Sequence, residues 1–431
     1  MNKMLVINNA NLILPERVIR DGYIVCDDGV IIEYGEGTYS PDPDDGKHQI
    51  LAKTFKFGSS SPDSNYRRID AGGNYVAPGF VDIHTHGAGG FDFMDNTVEA
   101  YLGAAETHAK YGTTSIVPTT LASTNDELYK TLKVLKKSKR LNSRGASFLG
   151  AHLEGPYFSY EQRGAQDPKF LRNPDPKEYN AILDFSDEII RWSLAPELPG
   201  ALEFGAKLRS EKILASIAHT NAIYEEIEKA FDAGFTHITH LYSCMSTVTR
   251  KNAFRYAGVI EAAYLIDKMT VEIIADGVHL PKSLLQLVFK IKGPDKIALC
   301  TDSMRGAGMP DGESILGSLT NGQRVIIEDG VAKMPDRSAF AGSVATADQL
   351  VRTMVQVAET SLTDAVRMMT LTPARIIGYD GVIGSITAGK IADLVIFDEQ
   401  ISVLATIING NILYSADTAL FAPIKIRSTK K

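Results

Sequence analysis

The sequence predicts an α/β protein: a (β/α)8 barrel beside a small β-sandwich domain that both termini build together. Three observations predict it. Eight short apolar β-rich segments alternate with amphipathic helical ones from residue 76 onward. The two ends of the chain carry β texture instead of helical periodicity. Ionisable side chains also collect at the ends of the apolar segments, where a barrel of this kind carries its chemistry.

Taken in order, residues 1–35 read as short strands at 3–7, 12–14, 22–26 and 30–34. A stretch rich in Pro, Ser and Gly follows at 35–68 and reads as a surface excursion without chemistry. The barrel strands are expected at 76–84, 113–119, 148–154, 189–195, 213–219, 237–241, 270–275 and 296–301. Helical stretches at 96–110, 125–141, 222–233 and 282–292 lie between them. A hairpin-like piece at 323–334 and a helix near 347–359 come next, and strands return at 382–383, 393–398, 402–408 and 411–414. The expected division is therefore 1–75 with 381–431 for the small domain, and 76–380 for the barrel. No GxGxxG follows the first barrel strand and no Walker loop occurs, which argues against an open doubly wound nucleotide-binding sheet.

At 431 residues the chain is long enough for one large and one smaller domain. Its 44% hydrophobic and 23% charged content is ordinary for a globular protein, and a net charge of −7 disfavours nucleic acid or an anionic membrane as the main partner. Cys26, Cys244 and Cys300 are far apart, which fits a reducing, cytoplasmic setting and not a thiolate zinc site. The first residues alternate like a strand and lack the apolar core of a leader, and no apolar run reaches the roughly 18 residues a membrane span needs.

The chemistry begins at His84-Thr85-His86. Residues i and i+2 of a strand share a face, so the two imidazoles converge. The other strand ends contribute Glu154, Glu197, His219, His240, His279 and Asp302. Each alone reads as an ordinary structural residue. Together, His84, His86, Glu154, His219, His240 and Asp302 match the nitrogen and oxygen donors preferred by Zn²⁺, Fe²⁺ or Mn²⁺ in hydrolytic sites. His48 and His108 are expected to be solvated, His237 starts its strand at the wrong end, and His152 suits a supporting position as well as a direct one.

The HxH after Pro-Gly-Phe-Val-Asp, the single aspartate ending strand eight and the β-rich termini resemble the amidohydrolase superfamily. Gly-Ala-His-Leu-Glu-Gly-Pro (150–156), Ala-His-Thr-Asn-Ala (218–222), Thr-His-Leu-Tyr (239–242), Ile-Ala-Asp-Gly-Val-His (274–279) and Phe-Ala-Gly-Ser (340–343) are similar to segments of the N-acetylglucosamine-6-phosphate deacetylase family. The resemblance covers nearly the whole chain. It implies a metal held by Glu154, His219 and His240, a second held with His84 and His86, and Asp302 as the acid–base group. It thus implies one or two divalent ions per subunit, zinc foremost, with iron, manganese or cobalt as alternatives. His279 is placed near the sugar hydroxyls or phosphate, and Arg250, with Arg255 nearby, on the phosphate across a homodimer interface.

Three positions depart from the family pattern. Gln166 stands where a substrate-contacting histidine is usual, Ser243-Cys244 where Asn-Ala often follows, and Arg305 where small residues are usual. Gln166, Ser243 and Cys244 are accordingly expected to contact the sugar phosphate. The metal chemistry is untouched by these changes, but the sugar epimer is left open. N-acetylgalactosamine 6-phosphate is one alternative; a cyclic amide or an N-acyl amino acid is another.

Overall fold

The computed structural model describes residues 4–39 and 66–416; most of the excursion, at 40–65, lies outside them together with His48. The central layer is a curled parallel sheet. One run orders Ser147–Phe148, Thr113–Pro118 and Phe80–Thr85; another orders Ala151–Glu154, Ile189–Leu194, Leu214–Ile217, Phe235–Ile238, Thr270–Ile273 and Ile297–Leu299. Parallel bridges Thr119–His152 and Thr85–Ser303 join the two runs at both sides, so the last strand comes back beside the first. Asp82 fastens that contact by accepting hydrogen bonds from Thr301 N (3.2 Å) and Oγ1 (2.5 Å). Burial raises the Asp82 carboxyl to about 7 against those bonds.

Phe80–Thr85 and Thr113–Pro118 are buried along their full length and the other parallel strands nearly so, as a sheet covered on both faces requires. The helices between them follow local rules. Thr97 caps Val98–Lys110 by accepting from Ala100 N, and Asn125–Leu141 turns Leu128, Leu132 and Leu135 to the core on one face. Asp175 and Pro176 start Pro176–Phe185, and Gly234, in the left-handed region, ends Tyr224–Ala233.

Several sequence expectations shift. The strand expected at 76–84 is two. Tyr75–Pro78 pairs antiparallel with Leu394–Phe397 in the terminal sheet, and Phe80–Thr85 enters the parallel one. Gly79 makes the crossing against Thr114, whose Cγ2 would lie 2.1 Å from a Cβ there. The terminal sheet therefore extends to Pro78, past the expected boundary at 75. The sixth strand is Phe235–Ile238 and stops short of 241, because the backbone turns left-handed at His240 (φ 29°). No strand forms at 382–383.

Strands from both ends of the described chain share one sheet. Among its eight strands, Met4–Ile13 pairs with Val18–Asp27, Tyr66–Asp70 and Tyr75–Pro78. The expected break near Asn9 is a bulge within one strand, with Asn9 at φ 55°. The sheet has its own core, including Leu5, Ile24, Leu394, Ile396 and Ile407. Among the described residues no helix is long and apolar enough to cross a membrane.

After the last parallel strand the chain adds more than the expected hairpin. Gly312–Leu316, Gln323–Glu328, Val331–Lys333 and Phe340–Ser343 form a four-stranded antiparallel sheet. Arg305 anchors it and is not available to a sugar. Its buried guanidinium pairs with Asp95 at 2.9 Å and donates to the carbonyls of Gly90, Ile315 and Gly317.

The seam between the two sheets rests on aromatic rings. Phe397 of the terminal sheet is fully buried against Tyr75 and Phe80, with ring centroids 5.8 and 6.4 Å away. Phe397→Ala should cost about 3–5 kcal/mol of stability, read from chemical denaturation. A loss under about 1 kcal/mol would show that the seam does not depend on this ring.

Candidate metal centre

Six side chains meet at the C-terminal mouth of the parallel sheet. Two groups form, each with donor atoms within 4.8 Å of one another: His84, His86 and Asp302, and Glu154, His219 and His240. The first strand supplies His84 and His86, whose Nε2 atoms stand 3.3 and 3.2 Å from Asp302 Oδ1. Glu154 ends the third strand and faces both groups. Its Oε1 is 3.2 Å from His240 Nε2, 3.4 Å from His219 Nε2 and 3.6 Å from His84 Nε2, and its Oε2 is 3.5 Å from His86 Nε2.

Three of these residues hold strained backbone. His219, His240 and Asp302 sit at φ 48°, 29° and 46°, where few residues other than glycine go. Each comes two or three residues after a strand, and the left-handed turn swings its side chain in over the sheet end. Gly342 packs behind Asp302, with its Cβ position 2.9 Å from the Asp302 carbonyl oxygen.

The donor set fits a divalent cation. Two ligands about 2.0–2.1 Å from a tetrahedral ion lie roughly 3.3 Å apart, and the spacings above cluster there. The Nε2 atoms of His219 and His240 approach to 3.2 Å, and His84 Nε2 is buried without a hydrogen-bond partner. Buried polar atoms left like this are costly unless something fills the gap. Electrostatics agrees. Burial opposes charge on His84, yet Asp302, Glu272 and Glu154 draw its imidazole up to about 9. His84 and the hydrogen bonds of His219 and His240 in turn hold the Glu154 carboxyl well below its usual range, despite burial. The Asp302 carboxyl is also held down, by His84 and His86. Anionic oxygens and imidazoles here call for positive charge at their centre.

The centre opens into a cavity of about 450 Å³. His279, Ser243, Cys244 and Gln166 line it. His279 Nδ1 is fixed by Asp276 Oδ2 at 2.7 Å. Gln166 is committed to the protein: its amide nitrogen donates to Glu154 Oε2 and its oxygen accepts from Ala122 N, both at 2.8 Å. Arg250 and Arg255 stand off the cavity wall, on the exposed hairpin Thr249–Lys251 and Phe254–Tyr256. Glu197 ties down the loop after His219 by accepting from Thr220 Oγ1 and Asn221 N, away from the metal ligands.

His108, expected in solvent, is buried against Thr85 Oγ1 at 2.9 Å, and burial lowers its imidazole to about 4. His152 supports from behind: its Nε2 bonds Ser193 Oγ at 2.6 Å and its ring meets His84 edge-on. Sequence reasoning missed Arg191 and Glu272, which lie buried beneath the centre. Their signal was present, as a lone charge inside each of the apolar runs Ile189–Leu194 and Thr270–Ile273. Phe340, on the antiparallel sheet, also lines the cavity, 4.7 Å from His279 between ring centroids.

Comparison with known proteins places this geometry in context. The profile of the amidohydrolase family matches residues 75–413. An N-acetylglucosamine-6-phosphate deacetylase of Haemophilus influenzae is 34% identical over 81% of this chain and 89% of its own. An N-acetylgalactosamine-6-phosphate deacetylase of Escherichia coli O157:H7 is 32% identical over 78% of this chain and 87% of its own. A mutant deacetylase of Mycobacterium smegmatis, solved in complex with N-acetyl-D-glucosamine-6-phosphate, superposes with a TM-score of 0.82 at 29% identity, covering 96% of this chain and 99% of that one. With its curled parallel sheet and its carboxylate–imidazole centre, the chain belongs to the amidohydrolase family.

Proposed function

We propose that this chain is a divalent-metal-dependent hydrolase that converts N-acetylglucosamine 6-phosphate to glucosamine 6-phosphate and acetate. The observation that carries it is the meeting of Glu154, His219 and His240 around one point, with Asp302 beside them, in a chain 34% identical to a deacetylase of that substrate. Glu154, His219 and His240 would hold one ion, and His84, His86 and Asp302 a second; zinc suits donors of this kind. A bound ion supplies polarisation of the acetamide carbonyl and a more acidic water. We read the curled sheet as a (β/α)8 barrel and the terminal sheet as folding over its own core into a β-sandwich, with the two units dividing near residues 79 and 381.

The chain's own groups do the rest. Asp302, kept ionised, takes the proton of the attacking water and passes it to the amine nitrogen as the C–N bond breaks. Its left-handed backbone and the packing of Gly342 fix where that carboxylate stands. His279, oriented through Asp276, offers its remaining nitrogen to the sugar. Ser243 and Cys244 line the cavity as well and add to its polar wall.

The phosphate needs a cation, and among the described residues no lysine or arginine lines the cavity. We assign that role to Arg250, with Arg255 beside it, reaching from the exposed hairpin of a second copy in a homodimer. Three well-separated free cysteines suit the reducing cytoplasm, where we place the enzyme. The galactosamine epimer is a second reading. It is favoured by the 32% identity to a galactosamine deacetylase and by Gln166, which withdraws a side chain from the sugar.

Acetate release from both epimeric sugar phosphates decides between the two, and no release from either would overturn the proposal. Asp302→Asn should lower kcat by roughly 10²–10⁴-fold while the ion at Glu154, His219 and His240 stays bound. Retention of more than about a tenth of the rate would remove Asp302 from the proton path. Arg250→Ala should raise KM for the phosphorylated substrate and leave the rate on the unphosphorylated sugar alone. Equal effects on both sugars would dissociate this arginine from the phosphate.

A further inference from the structure

Beneath the metal ligands lies a buried charge pair that touches neither substrate nor ion. Glu272 and Arg191 are both fully buried, 2.6 Å apart, in the middle of their strands. Arg191 spends its remaining donors on Ile83 O (3.1 Å), Thr239 Oγ1 (2.9 Å) and Ser216 Oγ (3.1 Å). The second Glu272 oxygen, Oε1, lies 2.6 Å from His84 Nδ1 and 3.1 Å from His240 N. His237 Nε2 stands 3.4 Å from Oε2. A buried pair of this kind is weak support for stability, since two apolar residues of similar volume do as well. Its place behind one metal ligand suggests another purpose.

A carboxylate only accepts hydrogen bonds. His84 must therefore carry its proton on Nδ1, which leaves the Nε2 lone pair facing Asp302 and Glu154. None of the other three imidazoles has this backing. His219 Nδ1 is held by the backbone carbonyl of Gln162, and His86 Nδ1 and His240 Nδ1 have no partner among the described residues. Glu272 is not itself a ligand. With His84 and Cys300 it could frame a third cation site, but its carboxylate is already paired with the Arg191 guanidinium.

Resting on the two-ion reading above, we infer that Glu272 is the positioning residue for His84, and that the ion held by His84, His86 and Asp302 depends on it. Arg191 anchors the carboxylate, so Glu272 cannot leave His84 to follow another partner. Carboxylates behind ligating histidines fix the ring's tautomer and strengthen it as a donor, and their loss weakens metal binding by roughly 10–100-fold.

The test is metal binding by the full chain, with zinc as the probe and metal counted after equilibration at a series of free concentrations. Wild type should take two ions. Glu272→Gln keeps the volume, but Arg191 demands the carboxamide oxygen, which turns the amide NH₂ toward His84 and reverses its tautomer. The ion at His84 should then bind roughly 10–100-fold more weakly, and the other by a distinctly smaller factor, since there only the backbone N–H of His240 loses its acceptor. Glu272→Asp retains the charge beside Arg191 and draws it back from His84, so it should weaken the ion at His84 by a smaller factor. It also serves if the glutamine variant does not fold. A folded variant with two ions at wild-type affinity overturns the inference alone, as does equal weakening of both ions, which marks general loosening. A wild-type chain that never takes more than one ion overturns the two-ion reading and the inference with it.

Discussion

The contact of the last parallel strand with the first makes everything else possible. His84 and Asp302 lie far apart in the chain, yet Asp302 N donates to His84 O at 2.9 Å, and Thr85 and Ser303 form a parallel bridge beside them. Asp82 secures the seam by bonding both the backbone and the hydroxyl of Thr301. Without that register the Asp302 carboxylate would have no fixed relation to the two leading imidazoles. The seam also puts the mouth of the sheet, and not its flank, at the meeting point of the ligands.

The centre is built in layers of decreasing freedom. At the surface, His279 and Phe340 border the cavity, and the hairpin bearing Arg250 is exposed. One step in, the six ligands stand at spacings suited to a small cation, held by strained backbone at three of them. Below them, Glu272, Arg191, His152, Ser193 and Thr239 form a dry hydrogen-bonded floor. Each buried polar group there is paired, as a low-dielectric interior demands.

How much of this could be read in the sequence follows from which forces act locally. The alternation of apolar strands and amphipathic helices revealed the sheet, because burial on both faces leaves an unbroken apolar run. The six side chains that meet at the mouth were legible because they fall at or just past strand ends, where position constrains direction. Glycine breaks and bulges were not: the crossing at Gly79 and the bulge at Asn9 depend on what the backbone meets in space. The burial of His108 escaped for the same reason, since helical periodicity does not say which neighbour covers a face. Arg191 and Glu272 hid within apolar strands, where a charge reads as an error until its partner across the sheet is known. The fate of Arg305 was unreadable, because its partners come from loops that the chain order does not bring together.

Those partners have a broader meaning for how the cavity admits a molecule. Four carbonyl and carboxylate contacts rivet the inserted antiparallel sheet to the turn after the first strand, through a single guanidinium. That insert is consequently a fixed wall and not a swinging door. Discrimination between one sugar and its epimer must then reside in the contour of static side chains, so a change of preference is reached by recarving that wall residue by residue and not by lengthening a loop.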